Sequence, residues 1–168
     1  MGIENPLDRN VRTVDASASD ASVSFSVKNA NGPATLNGGS AGDNIEGSDN
    51  GDVINGNGGH DNIAGEGGND DISGGDGNDF ITGQAGDDSI DGDAGNDSIY
   101  AGAGNDDVRG GDGADRIDTG TLTDGQGTEF VDGGAGIDNV TTRGEFLVGR
   151  TFNDDLDPNN TANTADVV

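Results

Sequence analysis

The sequence contains no cysteine and no tryptophan, and it has few aromatic residues of any kind. The missing cysteine excludes disulfides, thiolate zinc sites, iron–sulfur clusters and cysteine nucleophiles. No apolar run approaches the length of a membrane span, so we expect no membrane insertion. With 29% hydrophobic and 4% aromatic residues in 168, the chain has too little apolar surface for a conventional two-layer core. A helical bundle or a layered sandwich is therefore not expected.

Positive charge is also scarce, with 7 basic residues against 33 acidic ones and a formal net charge of -26. Nucleic acids and anionic membranes gain affinity from lysine and arginine clusters, so neither is expected as a partner. Charge of one sign at this density opposes a compact state, and without a counter-charge we expect disorder. The simplest counter-charge is a metal cation.

Catalytic motifs are missing as well. The sequence has no HExxH and no GxSxG, and no base stands beside a nucleophile, so we do not expect an enzyme. Residues 1–17 (MGIENPLDRNVRTVDAS) lack the positive start and the apolar stretch of a Sec signal. If the protein is exported, we expect another route.

Glycine is abundant, with 33 residues, and much of it follows a period of nine. Nine consecutive copies cover residues 38–118: GGSAGDNIE, GSDNGDVIN, GNGGHDNIA, GEGGNDDIS, GGDGNDFIT, GQAGDDSID, GDAGNDSIY, AGAGNDDVR and GGDGADRID. Position six is always Asp, and position eight is always Ile or Val. A disordered acidic spacer has no reason to keep an aliphatic residue at position eight of every repeat.

The repeat continues after an insertion at residues 119–123 (TGTLT). DGQGTEFVD at 124–132 fits the frame with Glu129 at position six, and GGAGIDNVT at 133–141 is a further full copy. A loop absorbs five extra residues at small entropic cost, whereas a strand would lose its register. We therefore expect the register to continue beyond the insertion.

Each unit divides into a loop and a short strand. The first six residues are rich in Gly, Asn and Asp, which favour turns and positive backbone angles, and the last three have the form x-Ile-x. One apolar residue in nine cannot stabilise a unit alone. Stacked units would bury their isoleucines against one another, as solenoid repeats do.

Stacking would also bring the position-six aspartates together, about 4.8 Å apart from turn to turn. Their repulsion is reversed if a hard cation lies between them. Calcium takes six to eight carboxylate and carbonyl oxygens, and glycine loops leave carbonyls accessible. Zinc and copper favour His or Cys, and magnesium resists dehydration. The residues therefore predict calcium.

The unit G-G-x-G-x-D-x-U-x, with U aliphatic, is matched in full at residues 74–82, 110–118 and 133–141. In these residues the chain resembles the RTX, or haemolysin-type, calcium-binding repeat family, and the resemblance covers residues 38–141. It implies an all-β fold, a right-handed parallel β-roll with two nonapeptides per turn. Calcium ions would lie between consecutive loops on each side of the roll.

Carried onto this sequence, the resemblance implies two columns of metal ligands. One column holds Asp43, Asp61, Asp79, Asp97, Asp115 and Asp138, and the other holds Asp52, Asp70, Asp88, Asp106 and Glu129. Backbone carbonyls would complete the sites near Gly56, Gly59, Gly65, Gly68, Gly74, Gly75, Gly77, Gly83, Gly86, Gly92, Gly95, Gly102, Gly104, Gly110, Gly111, Gly113, Gly133, Gly134 and Gly136. The loops leave room for about seven to nine calcium ions.

The resemblance also implies secretion by a Gram-negative type I route that reads a C-terminal signal. The tail is polar and ends in Asp166, Val167 and Val168, which is similar to the ending of many such substrates. The leading expectation is a secreted, calcium-binding β-roll that folds on meeting extracellular calcium. The alternative is a calcium-dependent, self-assembling subunit of an extracellular fibre, surface layer or biofilm matrix.

The flanks divide the chain into residues 1–37, 38–141 and 142–168. In the first, VSFSV at 23–27 predicts a capping strand, and in the last, GEFLVGRTF at 144–152 predicts a second cap. Instead of capping, these apolar flanks could join rolls end to end as a homo-oligomer. Within the repeats, we expect His60, Phe80 and Tyr100 at exposed positions, and we expect Arg109 and Arg116 to relieve local negative charge.

Overall fold

A computed structural model describes residues 10–120 and 130–141 of the chain. Within those ranges the chain forms strands and no helix. The described residues therefore contain no candidate membrane-spanning helix. The strands are β1 (Thr13–Asp15), β2 (Ser24–Ser26), β3 (Thr35–Asn37), β4 (Asn44–Glu46), β5 (Val53–Asn55), β6 (Asn62–Gly67), β7 (Asp71–Asp76), β8 (Phe80–Ala85), β9 (Ser89–Ala94), β10 (Ser98–Ala103), β11 (Asp107–Asp112), β12 (Arg116–Gly120), β13 (Phe130–Ala135) and β14 (Asn139–Thr141).

The strands form two seven-stranded parallel sheets. The order is β1-β3-β5-β7-β9-β11-β13 in one sheet and β14-β12-β10-β8-β6-β4-β2 in the other. Successive strands alternate between the sheets, so each turn of the chain adds one strand to each sheet. The result is an all-β parallel solenoid, with about 18 residues, or two nonapeptides, per turn of the repeat array. The predicted fold class is confirmed.

The core is a ladder of aliphatic side chains at position eight. In β8, Ile81 pairs with Ile63 of β6 and with Ile99 of β10, and all three side chains are fully buried. The residues on either side of each buried residue are more exposed, as in β4 and β5. One inward residue per strand is enough for a core because every rung is covered by the rungs above and below it.

Strand length changes along the solenoid. The strands up to β5 have three residues, as the sequence predicts, whereas β6 to β11 have six. The additional pairing joins positions two and three of one repeat to the same positions one turn later, as Glu66 with Gln84 and Gly67 with Ala85. From β6 onwards, part of the predicted loop is therefore hydrogen-bonded into the sheet.

The solenoid begins before the first nonapeptide. β1 pairs with β3, and β2 pairs with β4 so that Phe25 lies opposite Ile45. Val14, Phe25 and Leu36 form the inward positions of these strands and are eleven residues apart, outside the nine-residue frame. The segment expected as a capping strand is thus paired as a regular strand of the second sheet.

The insertion leaves the register intact. Val108 in β11 pairs with Val131 in β13, and Ile117 in β12 pairs with Val140 in β14. Both pairings skip five extra residues, so the register continues as expected. Thr119 and Gly120, which were counted as part of the inserted loop, instead belong to β12, where Gly120 pairs with Gly102. Glu129 and residues 142–168, with the predicted second cap and the tail, lie outside the described residues.

Candidate metal sites

The position-six aspartates stand in two columns, one on each side of the solenoid. Each lies at the end of a loop, directly before a strand, so that the sheet register sets the height of its side chain. These carboxylates are almost completely buried: Asp43, Asp52, Asp61, Asp70, Asp79, Asp88, Asp97, Asp106 and Asp115 are each at most 4% exposed. Asp138 is partly buried. The structure therefore brings together the aspartates that the sequence assigns to each column.

One oxygen of each carboxylate connects successive turns. The backbone N–H of Asp61 donates to Oδ1 of Asp79 at 2.8 Å, and that of Asp79 donates to Oδ1 of Asp97 at 2.8 Å. In the other column, the N–H of Asp70 donates to Oδ1 of Asp88 at 2.9 Å. The first column continues past the insertion, since the N–H of Asp115 donates to Oδ1 of Asp138 at 2.9 Å. Each Oδ1 thus anchors its carboxylate to the turn before it.

The second oxygen has no such role in most of the array. Among the described residues, Oδ2 is buried without a hydrogen-bond donor in Asp61, Asp70, Asp79, Asp88, Asp97 and Asp115. An unpaired buried carboxylate oxygen is costly because its hydration is lost and nothing replaces it. A row of such oxygens calls for a cation as the missing partner.

The pKa values reflect this environment. Burial raises the pKa of Asp97 to about 7, against a hydrogen bond from the Asp79 backbone that lowers it, and the neighbouring charges of Asp115 and Asp79 raise it further. In the other column, burial raises the pKa of Asp70 to about 7. Burial likewise raises the pKa of Asp61 and of Asp115 to about 6. Without a cation, these carboxyl groups hold protons close to neutral pH.

This shift predicts the pH dependence of the metal-free protein. A carboxyl group whose pKa is higher in the folded chain than in the unfolded chain binds protons more tightly when folded. Its contribution favours folding at low pH and is lost as the pH rises through the folded value. We therefore expect chelator-treated protein to gain strand content by circular dichroism when the pH is lowered from about 7 to about 5. A loss of strand content over this interval would contradict the prediction.

Glycine at position one keeps the space beside the unpaired oxygen open. A β-carbon built on Gly74 would lie 2.6 Å from Oδ2 of Asp79 and 2.8 Å from the carbonyl oxygen of Gly92. Carboxylate and carbonyl oxygens from adjacent turns thus approach the same point, where no side-chain atom stands. Gly92 repeats the arrangement with Oδ2 of Asp97 and the carbonyl oxygen of Gly110.

Glycine at position four is required by the backbone. Gly77 has a φ of 145°, and a β-carbon built there would collide with the carbonyl oxygen of Gly59 in the preceding turn. We expect Gly77→Ala to destabilise the folded chain by about 1 to 3 kcal/mol, the range for a strained backbone. Urea unfolding of both proteins in the same buffer measures the difference.

A matched control lies at position three of another repeat. A β-carbon built on Gly58 would meet its nearest neighbour, Cα of Ser40, at 3.7 Å, which is an ordinary contact. We expect Gly58→Ala to change the unfolding free energy by less than about 1 kcal/mol. Equal losses for Gly58→Ala and Gly77→Ala would show that the close approach at position four has no special cost.

A second ladder at position five was missed by the sequence reasoning. The N–H of Asn78 donates to Nδ1 of His60 at 2.7 Å, and the N–H of Asn96 donates to Oδ1 of Asn78 at 2.8 Å. On the other side, the N–H of Asp87 donates to Oδ1 of Asn69 at 3.0 Å. The frequent Asn and Asp at position five were the available signal. His60 is exposed, as expected, and replaces an asparagine in this ladder.

Of the two aromatic residues expected at exposed positions, Phe80 is exposed and Tyr100 is partly buried. Phe80 is 45% exposed and lies against Tyr100, with ring centroids 5.5 Å apart, and the guanidinium of Arg116 lies 5.0 Å from the Tyr100 ring. Arg109 forms an ion pair with Asp107 at 3.2 Å, which relieves local negative charge as expected.

The donor set restricts the metal. The described residues contain no cluster of three or more His, Asp or Glu side chains that could hold an ion. An ion in either column must therefore take most of its ligands from backbone carbonyls, with carboxylates supplying the charge. Such an all-oxygen, irregular set fits calcium better than zinc, copper or magnesium.

Comparison with known proteins identifies one family. Four overlapping matches to the model of the RTX calcium-binding nonapeptide repeat cover residues 37–72, 65–99, 82–117 and 91–124. Together they span more than half of the chain. No curated protein and no solved structure matches the chain significantly. The matched family describes a calcium-binding repeat and not a catalytic domain.

Proposed function

The chain belongs to the family of RTX calcium-binding nonapeptide repeats, and from this premise we propose that it is a secreted protein whose β-roll folds when it meets calcium outside the cell. The observation that carries the proposal is the row of buried Oδ2 atoms that lack a donor within the described residues. A protein that folded without a cation would leave these oxygens desolvated and unpaired. Calcium supplies the missing partner for each of them.

We assign the ligands to the two columns of loops. The position-six carboxylates from Asp61 onwards would contribute negative charge, and the carbonyls of the glycine-rich loops would fill the remaining coordination positions. Oδ1 stays bound to the N–H of the preceding turn, as in Asp79 and Asp97. In the folded roll this bond fixes the orientation of each carboxylate and leaves Oδ2 for the ion. Asp138 would serve the last described loop, and Glu129 is proposed by its place in the repeat.

Calcium binding and folding are linked by charge. The chain carries a formal net charge of -26, and the stacked loops concentrate part of it in the two columns. At submicromolar calcium, repulsion and desolvation oppose the roll, and the chain stays unfolded. At millimolar calcium, the binding free energy becomes folding free energy. A chain that is unfolded inside the cell and folded outside it suits export through a narrow channel, as in a type I route.

The organisation follows from this role. We propose residues 38–141 as the repeat array that contains the calcium sites, with residues 1–37 as an N-terminal cap and residues 142–168 as a C-terminal cap and export signal. In the first segment, strands β1 to β3 extend both sheets by pairing with β3, β4 and β5. They cover the end of the ladder that would otherwise expose Ile45 and Ile54.

Localisation tests the proposal. In cultures of the source organism, an antibody against the chain should detect it in the medium, while a cytosolic marker enzyme stays with the cells. The small pool inside the cells should be digested by protease in chelator and should resist digestion once millimolar calcium is added. A chain that stays with the cytosolic marker would overturn the secreted role.

A second candidate is a subunit of an extracellular fibre. Within the described residues, the sheets end at β1 and β2 on one side and at β13 and β14 on the other, and the outer edges of these strands have no further strand beside them. Parallel strands of a second copy could continue both sheets head to tail, and such an interface does not close on itself. Light scattering and electron microscopy after calcium addition would show filaments that lengthen with protein concentration. Monomers at every concentration would exclude this candidate.

A further inference from the structure

The loops of the roll belong to two classes, which differ in backbone conformation. From Asn57 onwards, positions two and four both have positive φ in the loops that the structure describes, as in Asn57 and Gly59 at 71° and 117°. In the two earliest nonapeptides, at residues 38–46 and 47–55, no residue has positive φ. We call the loops at 38–43 and 47–52 the early loops, and those that begin at Gly56 or later the late loops.

The side chains follow the same division. In the early loops, position four is occupied by Ala41 and Asn50 instead of glycine, and position two of the second loop is Ser48. A β-carbon at position four opposes the positive φ that the described late loops adopt there. The sequence of the early loops therefore favours the conformation that the structure shows.

The two classes of loop also differ in whether Oδ2 of the position-six carboxylate has a hydrogen-bond donor. In the early loops Oδ2 already has a donor: the N–H of Gly39 donates to Oδ2 of Asp43 at 2.5 Å, and that of Ser48 donates to Oδ2 of Asp52 at 2.6 Å. Both oxygens of Asp43 and of Asp52 are thus hydrogen-bonded to backbone, since each Oδ1 also accepts from the preceding turn. In the late loops, the corresponding Oδ2 of Asp61 is buried and unpaired within the described residues.

The difference has a direct physical cause. With positive φ at position two, the late loop adds a residue pair to the sheet, and its N–H at position two no longer points at the carboxylate. With the ordinary backbone of the early loop, that N–H closes on the carboxylate over four residues. When an N–H donates to Oδ2, it occupies the side of that oxygen from which a calcium ion would bind. One class of loop is therefore closed by its own backbone, and the other is left open for an ion.

We propose that the calcium sites of this protein begin at Gly56, and that Asp43 and Asp52 are backbone-capping residues rather than calcium ligands. The inference rests on the proposed function and departs from the sequence-based ligand set at these two positions only. If an ion needs two successive late loops of one column, the described residues provide about six sites, four in one column and two in the other. Residues 10–55 then form a metal-free end of the roll. Its strands pair with those of the first calcium-dependent turn, as β5 does with β7.

Calcium stoichiometry of the full-length chain tests this assignment. We would measure bound calcium by equilibrium dialysis for the wild type and for two double variants, Asp43→Asn with Asp52→Asn, and Asp79→Asn with Asp88→Asn. The two pairs are matched, because each changes position six once in each column. The early pair should bind as many ions as the wild type. The late pair should lose up to about four ions, since each late loop faces a neighbour on both sides.

A loss of bound calcium in a double variant could also result from a failure to fold. A variant that is expected to gain calcium sites avoids this ambiguity. Ala41→Gly, Ser48→Gly and Asn50→Gly together give both early loops glycine at positions two and four, which allows the late conformation. This variant should bind about two ions more than the wild type, one in each column. Equal losses in the two double variants, or a gain-of-site variant that binds no extra ion, would overturn the inference. A wild-type chain that binds no calcium would instead refute the proposed function itself.

Discussion

Removal of calcium with excess chelator is expected to abolish the β-sheet signal of this protein in circular dichroism, and millimolar calcium is expected to restore it. Nearly all carboxylates of both columns are buried. Oδ2 has no donor within the described residues in Asp61, Asp70, Asp79, Asp88, Asp97 and Asp115. Without an ion, folding at neutral pH must bury these groups uncompensated or protonate them. Both alternatives oppose the folded state.

The size of the effect follows from linkage. A site that binds only the folded chain adds about 2.7 kcal/mol of stability when the ion is at 100 times its dissociation constant. About six such sites exceed the 5 to 15 kcal/mol that stabilises an ordinary domain. The chain is 29% hydrophobic, with one inward residue per strand, and this small core leaves calcium as the larger contribution.

The control for this experiment is magnesium at the same concentration. Magnesium demands a regular octahedral shell and dehydrates reluctantly, so it should restore little of the signal. The same strand content in chelator as in calcium would show that the roll is stable without the ion, and the proposed folding switch would then be wrong.

Truncation of a single rung, Ile81→Ala, is expected to have the second large effect. Ile81 is fully buried and pairs with Ile63 on one side and with Ile99 on the other, so a cavity there removes contacts with both neighbours. Loss of a buried isoleucine side chain costs about 2 to 5 kcal/mol. Urea unfolding in saturating calcium should show this loss as a lower midpoint.

The adjacent residue is the matched control. Phe80 is larger than Ile81 but is 45% exposed on the outer face of the same strand. Phe80→Ala removes more atoms and should still cost less than about 1.5 kcal/mol, mainly its contact with Tyr100. A greater loss for Phe80→Ala than for Ile81→Ala would mean that the outer face contributes more to stability than the ladder.

Much of the fold could be predicted because the chemistry of each repeat is local. The aliphatic residue at position eight and the aspartate at position six recur without exception in residues 38–118, and a short strand can direct only one of its three side chains inward. The register beyond the insertion was predictable for the same reason, although Thr119 and Gly120 continue β12 and do not belong to a loop.

Other parts of the fold depend on contacts between turns. Val14, Phe25 and Leu36 become core positions because their strands pair with the nonapeptide strands, although their own spacing is eleven. Glu66 and Gln84 adopt positive φ values of 79° and 77°, which their residue types disfavour. Pairing with the neighbouring turns compensates for that cost and lengthens the strands from three residues to six.

The sequence by itself determined the period, the inward and loop faces, and the presence of two columns of carboxylates that need a counter-charge. Only the tertiary structure decided which oxygen of each carboxylate is already used. A backbone N–H at position two reaches the carboxylates of Asp43 and Asp52, but it does not reach that of Asp61. This depends on the φ angles that stacking imposes on each loop, and so the same aspartate at the same position of the repeat closes one loop and leaves the next one open to calcium.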